Sequence, residues 1–123
     1  MNSTTSSPKQ IEKVSSDNVV IGFDLLSNLT YMLVLSIGGL QRDRVLESCG
    51  DLKLRTAIFF EYIYVLANRV GLEYSEAFRL VADRAGASRV KSLLLRFAAA
   101  LGSGESEQEF ILEETRLEGD RYS

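Results

Sequence analysis

Two successive stretches of helical spacing, bracketed by glycines, set the limits on what this chain folds into. Tyr74, Ala77, Phe78, Val81, Ala82 and Ala85 fall at i, i+3, i+4, i+7, i+8 and i+11. After Gly86 the template recurs in Val90, Leu93, Leu94, Phe97, Ala98 and Leu101. Gly71-Leu72 precedes the pair and Gly102-Ser103-Gly104 follows it. Residues three and four apart share one side of a helix, so each run carries a single apolar stripe. Gly just past a helix end is the expected stop, because it adopts the left-handed conformation without a Cβ penalty. The spacing therefore predicts an antiparallel helical hairpin within 69–104.

The rest of the chain extends that reading to an all-α fold. A single Pro and long periodic segments leave little room for strands. Residues 1–16, rich in Ser and Thr, hold too little apolar surface to order themselves and read as a disordered N-terminal arm. Asp17-Asn18 offers cap side chains for a first helix over 19–37. Its expected inward stripe is Leu25, Leu26, Leu29, Met32, Leu33 and Ile37, with Asp24, Ser27, Asn28 and Tyr31 turned away. A short helix over 43–49 presents Val45, Leu46 and Cys49. A third, over 52–70, is apolar nearly all round, as a central core helix is. A last helix begins near Glu105, carries Phe110, Ile111, Leu112 and Leu117, and frays over 119–123. The expected architecture is a compact antiparallel bundle of five to six helices, with the helical domain over 17–118.

Bulk properties exclude several classes. The chain has 123 residues, enough for one domain with a modest core. It contains no His, the commonest general base and metal ligand. Charge is unevenly spread: residues 40–96 carry ten basic and seven acidic side chains, and residues 97–123 two basic and seven acidic. That basic excess is too small for a general nucleic-acid binder. The most apolar runs, 19–40 and 56–67, are broken by Asp24, Ser27 and Asn28 or by Glu61, short of about 18 uninterrupted apolar residues for a membrane span. Met1 to Lys13 is polar and has no signal-peptide apolar region.

A search for chemistry finds little. Gly102-Ser103-Gly104-Glu105 lacks the Gly-Lys-Ser/Thr ending of a phosphate loop and reads as a turn between helices. Cys49 sits on an apolar face with no His to activate it. Glu107, Glu109, Glu113 and Glu114 crowd a helix start, where carboxylates face solvent and complement the helix dipole. Catalytic, cofactor and metal residues are thus expected to be none. Arg79, Arg84, Arg89, Lys91 and Arg96 lie off the apolar stripes of the hairpin. Their plain reading is a solvated face with local ion pairs. Their functional reading is a docking surface for an acidic partner or phospholipid headgroups, since Arg offers a planar set of donors, with the loop 83–89 at its centre.

Several pieces in order resemble a known family. Leu29-Thr30-Tyr31-Met32-Leu33-Val34-Leu35-Ser36-Ile37-Gly38-Gly39-Leu40 is similar to the opening helix of the type II secretion system F domain. Gly71-Leu72 followed by Glu76-Ala77-Phe78-Arg79-Leu80-Val81-Ala82 resembles its next block, and 94–110, with Leu-Gly-Ser-Gly-Glu, completes it. Ser-Ile-Gly-Gly after the first helix is most similar to the archaeal branch, which serves archaella and type IV pili. The resemblance implies a cytoplasmic domain of a membrane platform protein that engages a hexameric assembly ATPase and couples its motion to filament assembly. It implies no enzyme activity, no small-molecule substrate, and a place at the cytoplasmic face of the membrane, held through segments absent from this chain. The small-residue turns of the family map here onto Gly38, Gly39, Gly71 and Gly102–Gly104. Surplus apolar surface on the third helix, including Phe59, Phe60, Tyr62 and Tyr64, would serve homodimer contact or contact with the membrane part of such a protein, beside its plain reading as the central core helix. The competing expectation is a stand-alone helical adaptor that binds protein partners.

Overall fold

The computed structural model describes residues 19–121. The arm over 1–16 and the expected cap at Asp17-Asn18 lie outside the described residues. Within them are six α-helices and one π-helical turn, and no strand. The helices are α1 (Val19–Ile37), α2 (Arg42–Gly50), α3 (Ala57–Val65), α4 (Tyr74–Arg84), α5 (Ser88–Ser103) and α6 (Glu107–Asp120). The π turn is Leu66–Val70 and continues α3. This is the all-α bundle that the periodicity predicts.

Packing follows the apolar stripes. α4 lies mainly on α5, α2 on α3, and α6 on α1. The α4–α5 stripe residues Ala77, Phe78, Val81, Ala82, Ala85, Val90, Leu93, Leu94, Phe97 and Ala98 are all buried. They merge with Leu25, Leu29 and Met32 of α1, Val45, Leu46 and Cys49 of α2, Phe59, Phe60 and Ile63 of α3, and Phe110 and Ile111 of α6. Three rings run through this core. Phe78 and Phe97 are stacked at 4.3 Å between centroids, and Phe97 meets Phe110 at 4.8 Å with a 55° tilt. Each such ring contributes about 1.5–3 kcal/mol through removal of apolar area from water.

Three expectations are corrected. First, the third helix does not run over 52–70. Residues 52–56 form turns, because α1 captures their polar groups: the Arg55 backbone N–H donates to Asp24 Oδ2 at 2.8 Å, and the Thr56 hydroxyl donates to Asn28 Oδ1. Second, Asn28 is accordingly fully buried rather than turned outward. Third, Ile37 is not inward but 64% exposed. The buried steps Leu25, Leu29, Met32 continue in phase to Ser36, and five residues past Met32 a side chain has turned about 140° away. Phe59 and Phe60 have no exposure at all, as the central-core reading of the third helix expects, so they offer no surface for self-association.

The α3 extension ends in a widened turn. Gly71 N–H and Leu72 N–H both donate to Leu66 O, at 3.0 and 3.1 Å. Gly71 takes φ +94°, a left-handed value that a Cβ would penalise. Gly50 is needed for a different reason. A Cβ built there would lie 2.9 Å from Glu61 Cα and 3.1 Å from Glu61 N, so the end of α2 rests directly on the α3 backbone. Backbone cannot retreat as a flexible side chain does. Gly50→Ala is therefore expected to lose about 1–3 kcal/mol, the usual range for overpacking. Urea denaturation followed by helical circular dichroism measures it, and an unchanged midpoint would contradict this close approach.

Candidate functional site

Two surfaces have the make-up of recognition sites. The first is a groove of about 400 Å³ between α1, α2, α5 and α6. Met32, Val45, Leu46, Phe97 and Ile111 form its apolar floor, and Ser36, Gln41, Arg42, Glu107 and Gln108 its polar rim. Arg42, the first residue of α2, spans the rim. Its Nε donates to Glu107 Oε2 at 2.8 Å and its Nη2 to Glu107 Oε1 at 2.6 Å. The fork geometry of the guanidinium suits this two-bond contact. Glu107 raises the Arg42 pKa further above its ordinary value through these hydrogen bonds.

The same guanidinium lies 5.2 Å from the centroid of the Tyr74 ring. Tyr74 is the first residue of α4. Its hydroxyl donates to Asp43 Oδ1 and accepts from Asn68 Nδ2 at 2.8 Å. Asn68 Nδ2 also donates to Tyr64 O at 3.0 Å. Burial, and then the hydrogen bond to Asp43, push the Tyr74 phenol up to about 12. The phenol stays protonated at neutral pH and serves as a fixed hydrogen-bond donor. Asp43, Arg42, Tyr74, Asn68 and Glu107 thus tie α2, the π turn, α4 and α6 at one end of the groove. The π turn is the element that supplies Asn68 to this cluster.

The second surface comprises the five cations singled out in the sequence. Arg79 and Arg84 are exposed on α4; Arg89 and Lys91 of α5 are partly buried. At 3.6 residues per turn Arg79 and Arg84 stand about 140° apart, whereas Arg89 and Arg96 share one side of α5, about 10 Å apart along it. Lys91 lies on nearly the opposite side of α5 from Arg89. Arg84 and Arg89 flank the link over 85–87, and so occupy the same end of the hairpin. Arg96 is committed elsewhere: its Nε and Nη2 donate to Glu114 Oε2 and Oε1 at 2.9 and 2.8 Å. Arg84 and Arg89 thus flank one link between helices, while Lys91 stands on nearly the opposite side of α5 from Arg89 and Arg96 is bound to Glu114 of α6.

The acidic helix start also needs correction. Of the four glutamates expected to face solvent, Glu114 is buried against Arg96 and Glu107 is half-buried against Arg42. Glu113 is exposed, and its carboxyl is held below the usual range by the hydrogen bond from Arg116. The burial of Glu114 was legible in principle. Phe110, Glu114 and Glu118 fall at i, i+4 and i+8, so the apolar stripe of α6 runs on into two acidic positions, both buried. The Arg42 cluster had no comparable signal, because Arg42 and Glu107 are 65 residues apart. Cys49 is fully buried, and burial pushes its thiol up to about 12.

No protein-family profile matches this chain, and no solved structure matches it. Among curated proteins the chain is similar to flagella accessory protein J of Methanocaldococcus jannaschii, with 33% identity over 102 residues. The alignment takes in 77% of this chain and 17% of that protein, so the chain spans about a sixth of its relative's length. Among the described residues no helix is long and apolar enough to cross a membrane.

Proposed function

We propose that this chain is the cytoplasmic helical domain of a platform protein of an archaellum or related type IV filament machine. It docks the hexameric assembly ATPase and passes the motion of that enzyme to the filament. Its part is mechanical: it binds and transmits, and carries out no reaction of its own. In the assembled protein it sits at the cytoplasmic face of the membrane, held there by segments outside this chain.

The observation that carries the reading is the similarity to flagella accessory protein J along most of the chain. The fold supports it physically. A force-transmitting body must not yield locally, and short links with side-chain ties between helices oppose yielding. The Arg42–Glu107 and Arg96–Glu114 pairs join α6 to α2 and α5 in that way. Docking is assigned to the α4–α5 end, where Arg84 and Arg89 flank the link over 85–87, with Arg79 on the same hairpin.

The test is a pull-down of the cognate assembly ATPase by this domain. Wild-type protein is expected to retain the ATPase, and Arg84→Glu with Arg89→Glu to lose at least about tenfold of it, as interfacial charge reversal does. Equal capture by both proteins would remove the hairpin end from the interface. No capture by the wild type would overturn the reading itself.

A further inference from the structure

Among the described residues three helices stop at a left-handed glycine, and one of the three stops differs from the others. Gly39, Gly71 and Gly104 have φ of +92°, +94° and +77°. After α1, Gly39 N–H donates three residues back to Ser36 O at 3.0 Å, and Leu40 N–H five back to Leu35 O at 3.1 Å. After α5, Gly104 N–H reaches three back to Leu101 O at 3.4 Å, and Glu105 N–H five back to Ala100 O at 3.1 Å. That is the ordinary glycine stop of a helix. After α3 the same two positions, Gly71 and Leu72, reach five and six back, both to Leu66 O. The π turn over Leu66–Val70 thus holds one residue more than α winding needs. Ordinary winding would send Leu72 N–H to Ala67 O and Gly71 N–H to Asn68 O.

Core packing does not choose this winding. None of the five residues of the turn is buried, and Asn68, Arg69 and Val70 are exposed. The choice falls to a polar tie. The Asn68 side-chain amide donates to Tyr64 O at 3.0 Å and to the Tyr74 hydroxyl at 2.8 Å. In α winding Tyr64 O accepts from the backbone N–H of Asn68, four residues on. Here the side chain competes for that acceptor, as Asn side chains do when they turn back on their own backbone. The far end of the tie is fixed from α2. The Tyr74 hydroxyl donates to Asp43 Oδ1, and the Arg42 guanidinium lies 5.2 Å from the centroid of the Tyr74 ring.

We infer that Leu66–Val70 is a two-position joint and that the Asn68 amide is its lock. With the lock closed the turn keeps its π winding. With the lock open it rewinds to α winding and ends in the ordinary glycine stop. Dropping the extra residue turns Gly71 by about 100° round the α3 axis and moves it by about 1.5 Å along it, the step of one residue. The link over 71–73 takes up the rotation, and the α4–α5 hairpin shifts against α2 while every helix stays intact. Discrete register steps of this kind are one way in which packed elements switch between two settings. Tyr74 is the first residue of α4, so a pull on the hairpin acts directly on the lock. The inference stands on the turn and its ties, and does not depend on the proposed function.

Magnetic-resonance couplings across backbone hydrogen bonds read the winding directly in the full chain. In the wild type the Gly71 and Leu72 nitrogens are expected to couple to the Leu66 carbonyl carbon. Asn68→Leu keeps the size of the side chain and removes its donors. In that variant the Leu72 nitrogen is expected to couple to the Ala67 carbonyl carbon instead. Asn68 is exposed, so the variant should keep the helical circular dichroism of the wild type. Tyr74→Phe opens only the far end of the lock, and should speed amide exchange at Gly71 and Leu72 by at least about tenfold. The shift of the hairpin is read separately, as the distance between spin labels at Glu47→Cys on α2 and Glu76→Cys on α4. Both positions are exposed, and buried Cys49 does not compete for the label. Adding Asn68→Leu should change that distance by at least about 1.5 Å. A wild type whose Leu72 nitrogen couples to Ala67, or an Asn68→Leu variant still coupled to Leu66, would overturn the inference. So would unchanged exchange in Tyr74→Phe or an unchanged label distance.

Discussion

Phe97→Ala is expected to destabilise the protein by about 3–5 kcal/mol, the largest effect of any single substitution considered. Phe97 is 3% exposed and is the middle ring of three, in contact with Phe78 of α4 and Phe110 of α6. Removing it deletes both ring contacts and opens a void beside the groove whose floor it forms. Neither neighbour can fill that space, because Phe78 is held on the α4 stripe and Phe110 on α6. A domain of this size has about 5–15 kcal/mol of stability in all, so the midpoint should fall by roughly 10–20 °C. Leu95→Ala on the same helix, at a position 40% exposed, should change stability by less than about 1 kcal/mol. Thermal and urea denaturation of the two variants side by side measure the difference. Similar midpoints would mean that the three rings are not the centre of the core.

Arg96→Ala is expected to lose about 2–4 kcal/mol, for an electrostatic reason. The Glu114 side chain is only 6% exposed, and Arg96 supplies both of the hydrogen bonds that the structure gives its carboxylate. Without the guanidinium a buried charge is left uncompensated, and that penalty exceeds the worth of the pair itself. Replacing both partners with apolar residues, Arg96→Met with Glu114→Leu, should therefore restore most of the loss. The full double-mutant cycle by urea denaturation separates these terms. If the double variant is as unstable as Arg96→Ala, buried charge is not the cause. Reversing Arg96 in a binding experiment would therefore also disturb the attachment of α6.

What the sequence discloses and what it withholds divide along the range of the forces involved. The α4–α5 hairpin is readable to within a residue or two because its stripes are local and its two breaks are local. The same holds for α1, whose span matches the expected one, and for Val45, Leu46 and Cys49 of α2. The turns over 52–56 were hidden, because Asp24 and Asn28 of another helix draw off their polar groups. The π turn was hidden as well: α and π winding share the same apolar composition, and what distinguishes them is backbone bonding, with the Gly71 N–H donating to Leu66 O. Among the candidate site residues, spacing placed Arg79, Arg84, Arg89, Lys91 and Arg96 off the stripes, and in the structure none of the five belongs to the apolar core. It was silent about which acid each would meet. The partner of Arg96 lies 18 residues on, on another helix, beyond the reach of helical periodicity.

In the proposed function the domain binds the hexameric assembly ATPase. Calorimetric titration of the purified domain into the cognate hexameric assembly ATPase tests it most directly. The proposed docking predicts saturable binding that weakens at least about tenfold when Arg84 and Arg89 are both changed to Glu. Heats indistinguishable from dilution, for wild-type protein at concentrations where both components are folded, would contradict it.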